Sequence, residues 1–179
     1  MAERITTPSA SVIVRPAAEG DAAAYRELRL EALRDHPQAF GSDYETALAR
    51  PPEWWVERLK KAGTPGWPRM YLAWAGGEPA GLCGLVMREG PKVQHNAELI
   101  SMYVRPAWRV SGVADALIAS ALQWAKEQGA TIVKLAVVTT NLGARRCYER
   151  NGFAPYGTEP EALCHGGAYL DEMLMARKL

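Results

Sequence analysis

From Val104 to Gly129 the chain reads VRPAWRVSGVADALIASALQWAKEQG, an arginine, a serine and a glycine running directly into a long apolar-striped segment. A helix start carries N–H groups without intrahelical partners and roughly half a positive charge, so it holds an anion without needing side chains. Ser111, Gly112 and Ala114 are small enough to let a ligand approach the backbone, and Arg109 adds a cation. The chemistry expected here is phosphate binding; an ordinary tight turn with Ser111 as a helix cap also fits these residues. Two nucleotide-binding patterns fail on spacing. The NTPase loop needs a G-K-[ST] ending, and no lysine occurs before Lys126. The dinucleotide fingerprint needs three glycines and a later acid, where this segment offers one glycine and TIVKLAVV carries no acid.

The elements around this loop decide between the readings. AELISMYVRP before it and TIVKLAVVTT after it are strand-like runs. Joined by a crossover of about 25 residues, they form a βαβ unit with parallel strands and a right-handed connection. Ligands of open sheets bind outside the carboxyl ends of such strands, where the loop after Val104 lies. In the crossover helix Val113, Leu117, Ala121 and Trp124 share a stripe with Ile118, Leu122 and Ala125, which should cover the sheet. Upstream, SVIVRPA reads as a strand and EGDAAAYRELRLEAL as a first helix. PPEWWVERLKKAG reads as another helix, started by proline and stopped by glycine. Trp54 and Trp55 cannot share one face of it; one should pack inside and the other line a substrate surface. RMYLAWAG and PAGLCGLVMRE form a hairpin. The chain closes with a short helix GARRCYERNG, a turn-rich APYGTEPEALCHGG and a last strand AYLDEMLMARKL.

Bulk properties narrow the partners. With 179 residues the chain is one domain, read as residues 11–179 behind a loose tail over 1–10. Twenty-one Lys and Arg against 20 Asp and Glu give a net charge of +1, so no nucleic-acid partner is expected and any anion site is local. Cys83, Cys147 and Cys164 are odd in number and lack C-x-x-C spacing, so neither a disulfide framework nor a metal site is expected. No apolar run is long enough for a membrane span or leader, and a cytoplasmic protein is expected.

Two motifs carry a resemblance. RPAWRVSGVADAL is similar to the R/Q-x-x-G-x-G/A motif of the GNAT superfamily of acetyl-coenzyme A dependent N-acetyltransferases, through Arg109, Gly112 and Ala114. NLGARRCYERNGF is similar to that superfamily's N-x-x-A-x-x-x-Y-x-x-x-G-F through Asn141, Ala144, Tyr148, Gly152 and Phe153. Their order, with a helix and a strand between, makes the match specific. The chain departs where members commonly have R-G-x-G, since Val110 stands at the first glycine, and where Asp115 replaces a frequent basic residue. A carboxylate beside a pyrophosphate repels it unless it points away.

The resemblance implies an α/β fold with a mixed, mostly antiparallel sheet, one splayed parallel pair and helices on both faces. It also implies direct attack of an amine on the thioester of acetyl-coenzyme A in a ternary complex, through a tetrahedral intermediate that expels the thiolate. The cofactor would be held by Met102, Val104, Arg109, Val110, Ser111, Gly112, Val113, Ala114, Asn141, Ala144 and Tyr148. Backbone N–H groups around Met102 to Val104, at a bulge, would meet the oxyanion. Tyr148 is the candidate acid, sharing a helix face with Ala144, its ordinary pKa near 10 suiting protonation of a thiolate. Asn141 should cap its helix. Cys147 reads as a core residue rather than a nucleophile.

Glu98 is the candidate base, since it shares the parity of Ile100, Met102 and Val104 and is the one acid on an apolar strand face. His95 and a water chain are alternatives. Ser42, Tyr44, Glu45 and Trp54 fall in the superfamily's variable substrate-covering region, with Glu45 suited to an ammonium group. The partner expected is a small-molecule or peptide amine, with a homodimer left open. A non-catalytic acyl-coenzyme A binding module of the same fold is the alternative function.

Overall fold

The computed structural model describes residues 3–6 and 11–179. Eight strands form one sheet in the order β1-β2-β3-β4-β5-β6-β8-β7. They are β1 (Glu3–Thr6), β2 (Ser11–Pro16), β3 (Arg69–Ala75), β4 (Glu78–Met87), β5 (Asn96–Val104), β6 (Ile132–Val138), β7 (Ala154–His165) and β8 (Ala168–Lys178). Every neighbouring pair is antiparallel except β5 with β6. Five helices accompany them: α1 (Ala22–Asp35), α2 (Tyr44–Leu48), α3 (Pro52–Lys60), α4 (Val113–Glu127) and α5 (Leu142–Arg150). The mixed sheet with one parallel pair agrees with the fold read from the sequence.

Two segments differ from that reading. Residues 3–6, placed in a loose tail, pair with β2 as an edge strand; the rest of that tail lies outside the described residues. The turn-rich segment after α5 is the twelve-residue strand β7. Its prolines and glycine hid the alternation, and its register with β8 shifts twice, next to Gly157 and between Glu159 and Leu163. Such irregularities let an edge strand carry turn residues.

The sheet separates two cores. On one face α4 buries Val113, Leu117, Ile118, Ala121, Trp124 and Ala125, the stripe read from its spacing. On the other, Tyr25 and Leu28 of α1 and Trp55 and Leu59 of α3 pack on Met70, Leu72 and Leu82. Each large side chain removed from water contributes about 1.5 to 3 kcal/mol, so the helices are fixed on the sheet by these stripes. Trp55 is buried and Trp54 is only partly covered, as their adjacency on one helix requires. Polar contacts then tie α1 to the end of β5. Glu31 accepts hydrogen bonds from Tyr103 Oη at 2.8 Å and Arg105 Nε at 2.8 Å, and Glu27 also binds Arg105.

Candidate active site

The sheet opens where β5 and β6 part. Their parallel ladder holds only Asn96↔Ile132, Ala97↔Val133 and Glu98↔Lys134. Beyond it β5 stays with β4 through Gly81↔Val104, while β6 follows β8 through Val138↔Glu172, so the two strands are drawn apart. A bulge in β5 adds to the divergence. The β4–β5 register shifts between Leu82↔Tyr103 and Gly84↔Ile100, and Ser101 takes a left-handed φ of 56°. The expected bulge near Met102 is therefore present.

A cavity of about 420 Å³ fills the wedge. Met102, Tyr103 and Val104 line one side, Asn141, Ala144 and Tyr148 the other, and Arg109 and Ala114 close the end. The residues between Arg109 and Ala114 do not line it; what that loop offers is backbone. Gly112 caps α4 with a left-handed φ of 87°, which turns the chain into the helix and leaves the first-turn N–H groups without intrahelical acceptors. Ser111 does not cap α4; its hydroxyl donates to the Trp108 carbonyl at 2.6 Å. Val113 is fully buried, its side chain in the core on the α4 face of the sheet. Arg109 donates from Nε to the Val104 carbonyl at 3.0 Å and from Nη2 to His36 Nε2 at 2.8 Å, an arrangement that needs this imidazole nitrogen unprotonated.

The departures from the family pattern have structural answers. Val110 takes a left-handed φ of 55°, a region that favours glycine, and its side chain is fully exposed. Asp115 points to α5, where it accepts from Arg150 Nη2 at 2.8 Å and from Asn151 Nδ2 at 2.6 Å. Its charge is thereby turned away from the loop.

Tyr148 is buried, its ring edge-on to Phe153 at 6.0 Å between centroids. Burial first, and the neighbouring Cys147 and Cys83 second, push its pKa well above the ordinary phenol value. It therefore stays protonated at neutral pH. Asn141 Oδ1 accepts from the Ala144 N–H at 3.1 Å, the capping role read from the sequence. Cys147 packs against the core, as read from the sequence, and also borders this cavity; burial and Asp115 raise its thiol pKa against the opposing pull of Arg150, so it is a neutral thiol.

A second cleft of about 460 Å³ lies between β5 and the three N-terminal helices. It shares Ala39 and Phe40 with the first, and the bulge faces both: Ser101 lines the second cleft, Met102 the first. Ser42 and Trp54 line it, as does Glu98. Tyr44 and Glu45 do not. Tyr44 borders a groove on the outer side of α1 with Arg26 and Leu30, and Glu45 is exposed. His95 is exposed and lines neither cleft. The apolar surroundings expected for Glu98 are not there, because the bulge breaks the strand's alternation after Ile100 and Arg88 approaches the carboxylate at 3.8 Å.

Sequence reasoning missed most of the charged residues of this cleft. Glu172 of β8 lines it beside Glu98, and burial, reinforced by Glu159 and Glu98, raises its pKa above the usual carboxylate value. The signal was an acid on the parity of Leu170 and Leu174. Arg29 and Arg58 come from α1 and α3. Arg29 lies four residues after Tyr25 and four before Leu33, an arginine on an apolar stripe.

The model of the acetyltransferase (GNAT) family matches residues 25–153, most of the chain. The chain belongs to that family. An N-acetyltransferase of Methanocaldococcus jannaschii, itself uncharacterized, is 31% identical over 102 residues, which cover 56% of this chain. The match spans 44% of that relative's length. Among solved structures, a GNAT acetyltransferase from Streptococcus pneumoniae superposes with a TM-score of 0.82 at 22% identity, over 94% of this chain and 99% of that one. The yncA acetyltransferase structure from Salmonella typhimurium, solved with acetyl-coenzyme A, gives 0.81 at 20% identity over 94% of each chain. These two likenesses concern the fold. Acetyl-coenzyme A is the acyl donor of the family, and amines are its acceptors. Among the described residues no helix is long and apolar enough to cross a membrane.

Proposed function

We propose that this protein is an N-acetyltransferase that moves an acetyl group from acetyl-coenzyme A to a primary amine by direct attack in a ternary complex. One observation carries the reading: the wedge between β5 and β6 runs from the start of α4 to Tyr148 and meets the second cleft at the β5 bulge. A donor in the first and an acceptor in the second would face each other across Ser101 and Met102.

The residues present fit coenzyme A. The N–H groups at the start of α4, with Gly112 opening the turn and Arg109 alongside, suit a pyrophosphate. The unpaired stretch of the two strands suits a pantetheine amide chain, and Ala144 leaves room for it. Bound there, acetyl-coenzyme A supplies an activated thioester. Tyr148 is the proton donor for the departing sulfur, protonated by virtue of its burial. Backbone N–H groups at the bulge stabilise negative charge on the acetyl oxygen, a contribution that one donor can make worth about 10² in rate. Glu98 and Glu172 border the acceptor cleft and take the amine's proton, directly or through water. Three unpaired cysteines, one of them exposed, fit a reducing compartment such as the cytoplasm.

The test is thermal and kinetic. A ligand at 100 times its dissociation constant adds about 2.7 kcal/mol, which for a domain of this size raises the melting temperature by about 5 to 11 °C. Acetyl-coenzyme A should do this while ATP and NAD do far less, and a panel of amines should release free thiol. No melting shift with acetyl-coenzyme A overturns the reading. A shift without transfer to any amine points to an acyl-coenzyme A binding module.

A further inference from the structure

The helical wall of the second cleft gathers three arginines, Arg29, Arg50 and Arg58, and among the described residues none of them makes an ion pair. Arg50 and Arg58 lie over the Trp54 ring, at 5.2 and 5.3 Å from its centroid. Arg58 Nε donates to Tyr25 Oη at 2.9 Å. Arg29 stacks over Phe40 at 4.6 Å and donates from Nη2 to Ser42 Oγ at 3.2 Å, but its Nη1 is buried with no acceptor. Cation–π contacts explain where the guanidinium planes lie. They do not explain a buried, orphaned donor on a half-buried cation, nor the gathering of cations without a counter-charge. The third acid of the cleft, Asp43, is occupied in capping α2, where it accepts from the Thr46 N–H at 2.8 Å.

The strand wall of the same cleft has the opposite sign, with Glu98 on β5 and Glu172 on β8. A ligand satisfying both walls carries an amine at one end and an anion at the other. A guanidinium presents its N–H groups as a planar fork that matches a carboxylate. We propose that the acetyl acceptor is a small amino acid whose carboxylate is held by Arg29 and Arg58, with Arg50 at the mouth, and whose amine lies against the strand wall beside the β5 bulge. This rests on the acetyltransferase reading above and names its substrate class. Trp54 and Phe40 hold the guanidinium planes in place and cover the carbon chain of the acceptor. Glu45, suited on sequence grounds to an ammonium group, has no part in it.

The full chain, saturated with acetyl-coenzyme A, is assayed for thiol release on two matched series. One holds the standard α-amino acids with glycine, β-alanine, 4-aminobutyrate and 5-aminopentanoate, which step the distance from amine to acid. The other holds their primary amides and simple alkylamines. At least one acid should exceed its amide by about 10- to 100-fold in kcat/KM, the range for a hydrogen-bonded charged pair. Arg29→Met, and independently the more exposed Arg50→Met, should shrink that preference while the melting shift with acetyl-coenzyme A stays. Amides and alkylamines used as well as the acids overturn the proposal, as does a preference that survives both substitutions, or a protein that binds acetyl-coenzyme A and acetylates no acid. Loss of the acetyl-coenzyme A shift in the wild type instead overturns the transferase reading itself.

Discussion

Asp115 in the first turn of α4 is bound by Arg150 at the end of α5, with Nη2 at 2.8 and 3.0 Å from its two carboxylate oxygens. The pair turns a carboxylate that would repel a phosphate into a strut between the two helices that frame the proposed cofactor cleft. Both partners are partly exposed, so the pair adds little to stability. Its effect should fall on binding. Arg150→Ala frees the charge beside the helix start, where one charge is worth about 0.3 to 1 kcal/mol, and should weaken acetyl-coenzyme A binding by about 2- to 5-fold. Adding Asp115→Asn to that variant should restore the affinity. Titration calorimetry on both variants decides it; equal affinities throughout would show the pair to be a surface contact only.

Val110 holds a conformation that a β-branched residue adopts at a cost of about 1 to 2 kcal/mol. Val110→Gly removes that strain, offset in part by the greater freedom of glycine in the unfolded chain. The variant should melt higher by up to about 4 °C without acetyl-coenzyme A, since the side chain touches solvent alone. The converse change, Gly112→Val, puts a side chain at φ 87° and at the proposed phosphate cradle together. It should abolish the acetyl-coenzyme A shift and also lower the melting temperature of the unliganded protein.

The proposed donor half of the site was legible in the sequence because it is local. The loop from Arg109 to Ala114 and the turn from Asn141 to Tyr148 each place their residues within a few positions, and the βαβ spacing brings them to one strand end. The acceptor half was not. Its walls come from α1, α3, β5 and β8, which tertiary packing alone brings together, and Glu172 is 74 residues from Glu98 in a strand whose pairing no local signal reveals. The apolar surroundings inferred for Glu98 failed on one residue: the bulge at Ser101 ends the two-residue alternation on which they rested.

Tyr148→Phe removes only a hydroxyl from a buried ring. Affinity for acetyl-coenzyme A should hardly move, while turnover falls by about 10² to 10⁴, the usual range for one positioned proton donor. The raised pKa adds a pH signature. The phenol remains an acid as pH passes about 10, where an ordinary tyrosine ionises, so wild-type turnover should show no basic limb from it there. Linkage has the same sign: the neutral form is favoured in the fold, so its stabilising contribution is complete below about pH 10 and is lost as pH rises from there through the folded-state pKa. Wild-type turnover in Tyr148→Phe would make it a packing residue.

Glu172 and Glu98 can be separated by the pH dependence of turnover. Glu172 has a raised pKa, first through burial and then through Glu159 and Glu98. A carboxylate raised in the fold is destabilising when ionised: the stability it permits is present below its unfolded pKa of about 4.3 and is lost as pH rises through the folded value. Glu172→Gln should therefore leave the protein at least as stable at pH 7 as the wild type. If Glu172 takes the proton from the amine, the same variant should lose turnover at pH 7 and lose the acidic limb of its profile. The loss should be partly recovered at high pH, where the free amine is already deprotonated. Glu98→Gln should act differently. It removes one of the charges that raise Glu172, so the acidic limb should persist but move to lower pH, with a smaller loss of turnover. Were Glu98 itself the base, the limb would vanish in Glu98→Gln and persist in Glu172→Gln. A limb unchanged in both variants would exclude both carboxylates and assign the proton to water alone.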